Sequence, residues 1–367
     1  MLARFSVTGF KNFKNKITID FSNVRDYRFH PECVTDGLLN TAIIYGKNAV
    51  GKSNLGLALF DIVSHLTMNN VTPGLYDYYL NVNNKKGYAS FEYEFQFGED
   101  EIVYGYDKTE KNALSSEFLM INGTVMFHNS GSNIWENNGL IELAPNLNWT
   151  LKNEISTLKY FLYNSSLEPN HPLSKMREFL NNMLWYRSLD ENRYIGYREK
   201  AGDYHTFMFK NQAFIAEFNE LLIQSGIDES VVAKKDTDGE TRLYFDTDPP
   251  LPFQKVASSG TKTLYTFYYW YKTAPNVSFM YIDEFDAYYH YELAETIVSM
   301  LEKMSGFQKI LTSHNTNLLS NRIMRPDCYF ILTKDKLTSL ANATERELRE
   351  GHNLEKLYMS GEFNGQS

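Results

Sequence analysis

Gly46–Ser53 reads GKNAVGKS, and the reading of the whole chain turns on it. It fits G-x-x-x-x-G-K-[ST] at every fixed position. Ala42–Tyr45 (AIIY) precedes it and is wholly apolar, as a strand buried on both faces must be. Lys52–Leu66 follows, with Leu55, Leu59, Ile62, Val63 and Leu66 at helical spacing. A strand, a glycine-bearing turn and a helix in that order form a phosphate cradle. Backbone N–H groups and the positive end of the helix meet the anion. Gly46, Lys47, Asn48, Ala49, Val50, Gly51, Lys52, Ser53 and Asn54 are the candidate phosphate-contacting set. Lys52 is expected to reach the β- and γ-phosphates, and the Ser53 hydroxyl to ligate Mg²⁺.

Three downstream segments carry chemistry that a phosphate loop needs. Phe279–Ile282 (FMYI) is a second buried-strand signal, ending in Asp283–Glu284. Asp283 at the strand tip suits Mg²⁺ coordination, and Glu284 suits a general base acting on water. Lys309–Thr312 (KILT) is a third strand candidate, followed by Ser313–His314. His314 is placed to contact a γ-phosphate. Ser258–Ser259–Gly260–Thr261 opens an apolar helix, Leu264–Tyr271. Hydroxyls and free N–H groups there would suit an anion, although an ordinary helix cap explains the same residues.

The rest of the chain supplies scaffold. Leu2–Gly9 and Ile17–Phe21 read as a strand pair. Ala89–Phe97 alternates strictly and turns at Gly98–Asp100 into Glu101–Tyr106, and Phe118–Phe127 turns at Asn122–Gly123. Residues 85–145 therefore read as an antiparallel β layer. Ser165–Gln224 reads as mainly helical, from Met176, Phe179, Leu180, Met183 and Leu184 and from Phe214, Phe218, Leu221 and Leu222. Lys234–Thr247 reads as a hairpin around Asp238–Gly239.

Composition bounds the function. Hydrophobic residues make up 43% and aromatics 15%, which supports a packed core and argues against disorder. The net charge of −9 argues against a protein that coats nucleic acid. Cys33 and Cys328 are too few for a metal cluster and read as reduced, buried thiols. No apolar run reaches the length of a signal peptide or membrane span, so the cytoplasm is the expected compartment.

The order GKNAVGKS, SSGTKT, FMYIDEFD, LTSH resembles the heads of ABC-type ATPases. Within that class it looks like the soluble branch of SMC, RecF and overcoming-lysogenization-defect (OLD) proteins, which the opening FSVTGFKNFKN also resembles. The ending RELREGHNLEKLYMSGEFNG is similar to small stand-alone prokaryotic ATPases found beside toxins or nucleases in phage-defence operons. The resemblance implies an α/β P-loop ATPase head with a mixed central sheet, an antiparallel β lobe and an inserted helical lobe. The expected division is 1–164 and 248–345 for the head, 165–247 for the insertion and 346–367 for a tail. It also implies ATP and Mg²⁺ as cofactors and hydrolysis of ATP. A homodimer or higher homo-oligomer follows, in which Ser258, Ser259 and Gly260 of one copy cap the nucleotide of the other, and Asp286 crosses the interface. The Q-loop glutamine has Asn164 as its stand-in, since Gln96 sits in an alternating strand and reads as structural. OLD enzymes carry a nuclease domain after the head; Ser367 follows soon after the His motif, so an effector is expected to be a separate protein.

Two functions are compatible with this. One is an ATP-driven switch controlling a toxin or nuclease in anti-phage defence. The other is a DNA-repair ATPase similar to RecF, for which Lys175, Arg177, Arg187, Arg193, Arg198 and Lys200, with Trp185 and Tyr186 between them, would form the nucleic-acid surface; Glu178, Asp190, Glu191, Glu199 and Asp203 are mixed among them, and an ordinary solvated helical surface explains the same residues.

Overall fold

The structure is a computed structural model. It describes every residue except 131–134, 137, 150–154, 190–192, 198–202, 275, 305 and 365–367. Arg198 and Lys200 of the basic cluster lie outside the described residues.

Along the chain, β1 (Leu2–Thr8) and β2 (Ile17–Asp20) pair antiparallel. β3 (Thr41–Tyr45) leads into the phosphate loop and α1 (Lys52–Leu59), with α2 (Asp61–Leu66) behind it. β4 (Ala89–Phe97), β5 (Asp100–Glu110), β6 (Ala113–Ile121) and β7 (Thr124–Asn129) form a meander. Then come α3 (Thr157–Asn164), α4 (Pro172–Asn181), β8 (Met183–Arg187), β9 (Tyr194–Gly196) and α5 (Gln212–Gln224). The hairpin β10 (Val231–Lys235) and β11 (Thr241–Phe245) precedes α6 (Ser259–Thr273). The chain closes with β12 (Phe279–Asp283), α7 (Tyr291–Lys303), β13 (Gln308–Thr312), β14 (Tyr329–Leu332), β15 (Leu337–Ser339) and α8 (Leu354–Met359).

Two sheets result. Among the described residues the central one runs β15-β14-β3-β13-β12-β8-β9 and ends on Asn70–Val71. Its middle strands, β14 to β8, are all parallel. Parallel strands place their C-terminal ends on one edge, where ligands meet such sheets. The second sheet, β7-β6-β5-β4-β1-β2 with Trp135–Glu136 at its far edge, is antiparallel. Gln308, buried at the start of β13, joins the sheets. Its amide accepts from Leu2 N–H at 2.7 Å and donates to Leu2 O at 2.8 Å. Phe279 lies within aromatic contact of Phe21, Phe60 and Phe179, in the apolar layer between the sheets.

Three sequence expectations change. The helix expected over Lys52–Leu66 is two helices, because Phe60 leaves helical geometry at φ −89°, ψ 2°. The break precedes Asp61, whose fully buried carboxylate accepts from Tyr79 and Tyr106 hydroxyls and pairs with Lys108 at 2.6 Å. The helical reading of Ser165–Gln224 holds for α3's successor α4 and for α5, but Met183–Arg187 is a strand. Its apolar run is buried because β12 pairs with it along its whole length. Trp185 and Tyr186 are therefore interior residues and no stacking surface for nucleic acid. The basic residues around them turn to separate partners: Lys175 to Asp100, Arg177 to Leu162 O, Arg193 to Pro73 O and Arg187 to Glu284. In the β layer, Asn138–Leu143 is helical.

The Asp61–Lys108 pair has both of its charges buried. Burial also pulls the Lys108 ammonium below its ordinary range, with Asp61 opposing the shift. Asp61→Ala should cost about 3–5 kcal/mol of stability, because Lys108 is left charged and unpaired. A chemical-denaturation series measures it; a loss under about 1 kcal/mol would mean that Lys108 escapes to water.

Candidate functional site

The site is built on the C-terminal ends of β3, β13 and β12, which lie side by side. The loop after β3 holds its shape through backbone conformations that few residues accept. Ala49 has φ 63° and Gly51 φ 107°. A side chain at Gly51 would also meet Asn12, 2.4 Å from an ideal Cβ. Asn12 is the loop's bracket: it donates to Val50 O at 2.7 Å and accepts from Asn54 Nδ2 at 2.7 Å. The sequence reading missed this role, although Asn12 lies within the FKNFKN segment it singled out. Behind the loop, α1 sits down on the sheet at Gly56, where a Cβ would lie 2.7 Å from both Trp185 and Tyr281 atoms. The Tyr281 hydroxyl donates to Lys52 O at 2.8 Å and fixes the helix start over β12.

Lys52 is buried. Its ammonium donates to Gly46 O at 2.9 Å and lies 3.4 Å from His314 Nδ1. Burial pulls the Lys52 ammonium downward, against the pull of Asp283, Glu284 and Asp286. His314 is lowered by burial and by the Lys52 charge beside it, which favours the neutral imidazole. A neutral ring can accept at one nitrogen and donate at the other.

Asp283 is fully buried at the end of β12. Burial pushes its carboxyl above the usual range, opposed by hydrogen bonds from the Ser53 and Thr312 hydroxyls. Thr312 donates to Asp283 Oδ1 at 2.8 Å and accepts from Glu284 N–H at 2.7 Å. Thr312 thereby fixes both acids, a role that KILT did not reveal. Glu284 stands at φ 54°, a left-handed conformation that costs about 1–2 kcal/mol in a non-glycine residue. Such strain persists only where surroundings enforce it. Arg187, at the end of β8 and opposite Asp283 in the parallel register, reaches Glu284 Oε2 through Nε (3.2 Å) and Nη2 (2.9 Å). Sequence reading offered Arg187 to a solvated helical surface or a nucleic-acid surface; the structure puts it in this site.

The donors present fit a divalent cation. Asp283 Oδ2 is buried and has no hydrogen-bond partner among the described residues, and the Ser53 hydroxyl bonds to the same carboxylate. One carboxylate and one hydroxyl, with phosphate oxygens and water completing the shell, suit Mg²⁺. Among the described residues no cluster of three or more His, Cys, Asp and Glu forms a free-standing metal site.

Asp286 points inward, its carboxylate accepting from the Ser313 hydroxyl, and burial raises its pKa. Asn164 is exposed at the end of α3 and its amide bonds Tyr160 O of the same helix. Gln96 serves the turn after β4, donating to Gly98 O. Ser258, exposed, caps α6: its hydroxyl accepts from Thr261 N–H at 3.1 Å. With Gly260 it lines a separate cavity of 570 Å³, alongside Tyr288, Tyr289 and His290. The structure thus brings Lys52, Ser53, Asp283, Glu284, Asp286 and His314 together, and sets Ser258–Gly260 at a second location. A cavity of 790 Å³ adjoins the loop at Gly46, Lys47 and Val50, walled by Ile331, Leu332, Tyr358 and Phe363.

The chain is similar to three solved SMC heads. One is the SmcHead bound to the C-winged helix domain of ScpA, 15% identical, with 92% of this chain and 97% of that chain covered at TM-score 0.46. A second is an SMC head domain from Thermotoga maritima, 14% identical, covering 92% and 97% at TM-score 0.43. A third is an Smc head domain with an extended coiled coil bound to the C-terminal domain of ScpA derived from Pyrococcus furiosus, 13% identical, covering 92% and 96% at TM-score 0.45. No curated protein matches the sequence. The family model described as "AAA domain, putative AbiEii toxin, Type IV TA system" matches residues 42–320, a span holding the phosphate loop, both acids and the histidine, and the chain belongs to that family.

Proposed function

We propose that the protein hydrolyses ATP and uses the cycle as a switch on a separate effector. One observation carries the proposal: Glu284, at the end of β12, stands beside the buried Asp283 and the Lys52–His314 pair of a complete phosphate loop. Gly46–Asn54 would hold the triphosphate, with Lys52 leaving Gly46 O for its β/γ oxygens. Mg²⁺, held by Ser53 and Asp283, would offset charge on those oxygens. Glu284 takes a proton from water as the water oxygen bonds to the γ-phosphorus. The bond from that phosphorus to the β,γ-bridging oxygen breaks, and its electron pair leaves with ADP. Neutral His314 orients the γ-phosphate and the water.

The dimer belongs to the same proposal. Ser259 and Gly260 lie exposed or half-buried at the start of α6, where they would serve a second copy's nucleotide. Leu251, Val256 and Tyr288 are exposed around the same cavity, and a second copy would cover them. The effector reading is supported by the family's description, which names a toxin–antitoxin system. Among the described residues no helix is long and apolar enough to cross a membrane. A nucleic-acid role loses its proposed stacking pair, since Trp185 and Tyr186 are interior.

Glu284→Gln should retain ATP binding, lower kcat by about 100-fold or more and accumulate a dimer. Steady-state phosphate release and light scattering read both; full turnover would remove Glu284 from its role. The shared site makes a sharper demand. Lys52→Ala and Gly260→Arg should each be inactive alone, the first through lost ATP affinity. Mixed together they should recover activity, because one composite site of each mixed dimer is intact. A mixture as inactive as its components would mean that Gly260 does not act on a second copy.

A further inference from the structure

The guanidinium of Arg187 holds the carboxylate that the ATPase reading needs free. Nε and Nη2 both donate to Oε2 of Glu284. Nε also lies 3.7 Å from Oδ2 of Asp283, the oxygen without a hydrogen-bond partner among the described residues. One cation therefore stands between both acids. Its position comes from the sheet: Arg187 lies opposite Asp283 in the parallel pairing, and Ser188 N–H donates to Asp283 O at 3.0 Å. The Arg187 side chain remains about a third exposed, so it has room to move.

A terminal phosphate delivered by the loop would compete for this guanidinium. It brings more charge than a single carboxylate and offers several oxygens in the geometry a guanidinium fork prefers. Lys52, whose ammonium feels the charges of Asp283 and Glu284, fixes where that phosphate arrives. We propose that Arg187 exchanges Glu284 for the γ-phosphate of bound ATP, releasing the carboxylate to accept the proton of water. ADP has no γ-phosphate and leaves the Arg187–Glu284 pair closed. The exchange is also wired to the helix that would face a second copy. Thr263, in the second turn of α6, donates through its hydroxyl to Ser188 O at 3.2 Å. A shift of α6 is therefore felt one residue from Arg187. This inference rests on reading Glu284 as the base of an ATPase.

The test compares Arg187→Gln and Arg187→Lys with the parent chain, using ADP binding, ATP binding and steady-state turnover. The Gln variant should bind ADP within about twofold of the parent, lose its preference for ATP over ADP and lose about 100-fold in kcat. The Lys variant, which keeps the charge but lacks the fork, should recover part of kcat. Parent-level turnover in the Gln variant overturns the proposal. A parallel loss of ADP and ATP binding does so too, since it marks a merely structural role. Should the Gln variant fail to fold, the Lys variant decides, and an undiminished kcat there overturns the proposal. Glu284→Gln separates the two levels. An inactive parent chain sinks the ATPase reading itself, and full turnover in Glu284→Gln removes Glu284 as the base, whereas an inactive Glu284→Gln beside a fully active Arg187→Gln sinks this inference alone.

Discussion

A fully buried carboxylate at the end of β12 governs the architecture around it. Asp283 cannot remain ionised there without compensation, because removing a charge from water costs several kcal/mol even after relaxation. The compensation comes from two neighbouring strands and a helix. Thr312 supplies a hydroxyl from β13, Arg187 a cation from β8, Ser53 a hydroxyl from α1. Each of these must sit at the same edge of the sheet, which only an all-parallel middle permits. The order β3-β13-β12-β8 is thus the one that brings phosphate loop, histidine, acids and arginine to a single line.

That arrangement explains what was legible beforehand. GKNAVGKS, FMYIDE and LTSH are local: each strand and its chemical tip occupy consecutive residues, so pattern and function coincide. The same holds for the β layer, where Ala89–Phe97 alternates and Asn122–Gly123 turns. Met183–Arg187 was illegible for a physical reason. Met183 and Leu184 continue the apolar spacing of Met176, Phe179 and Leu180, and a short apolar run fits a buried strand and a helix face equally well. The partner that decides is β12, far downstream. Arg187 was misread for the same cause, since Glu284 stands 97 residues away in sequence. Thr312 shows the complementary limit. It looked like the last residue of a strand, and only the neighbouring strand makes its hydroxyl a bridge between two acids.

The two halves of the head are joined by different kinds of bond. On the loop side, Asp61 takes hydroxyls from Tyr79 and Tyr106 as well as the Lys108 ammonium. Tyr104 then links His65 of α2 to Glu117 of β6, which also accepts from Thr157 and Leu158 N–H at the start of α3. These groups are buried, so releasing any one leaves a polar atom or charge unpaired at a cost of about 1–3 kcal/mol or more. The network locks α2, the antiparallel sheet and α3 into one body behind the phosphate loop. On the α6 side the path to the acids is thinner: Thr263 to Ser188, then Ser188 to Asp283. Single hydrogen bonds between neutral groups contribute about 1 kcal/mol each and re-form readily after a small shift. Movement driven by a nucleotide would therefore be expressed between α6 and β12, and the loop, welded to the β layer, would stay fixed as the reference against which Arg187 and Glu284 change partners.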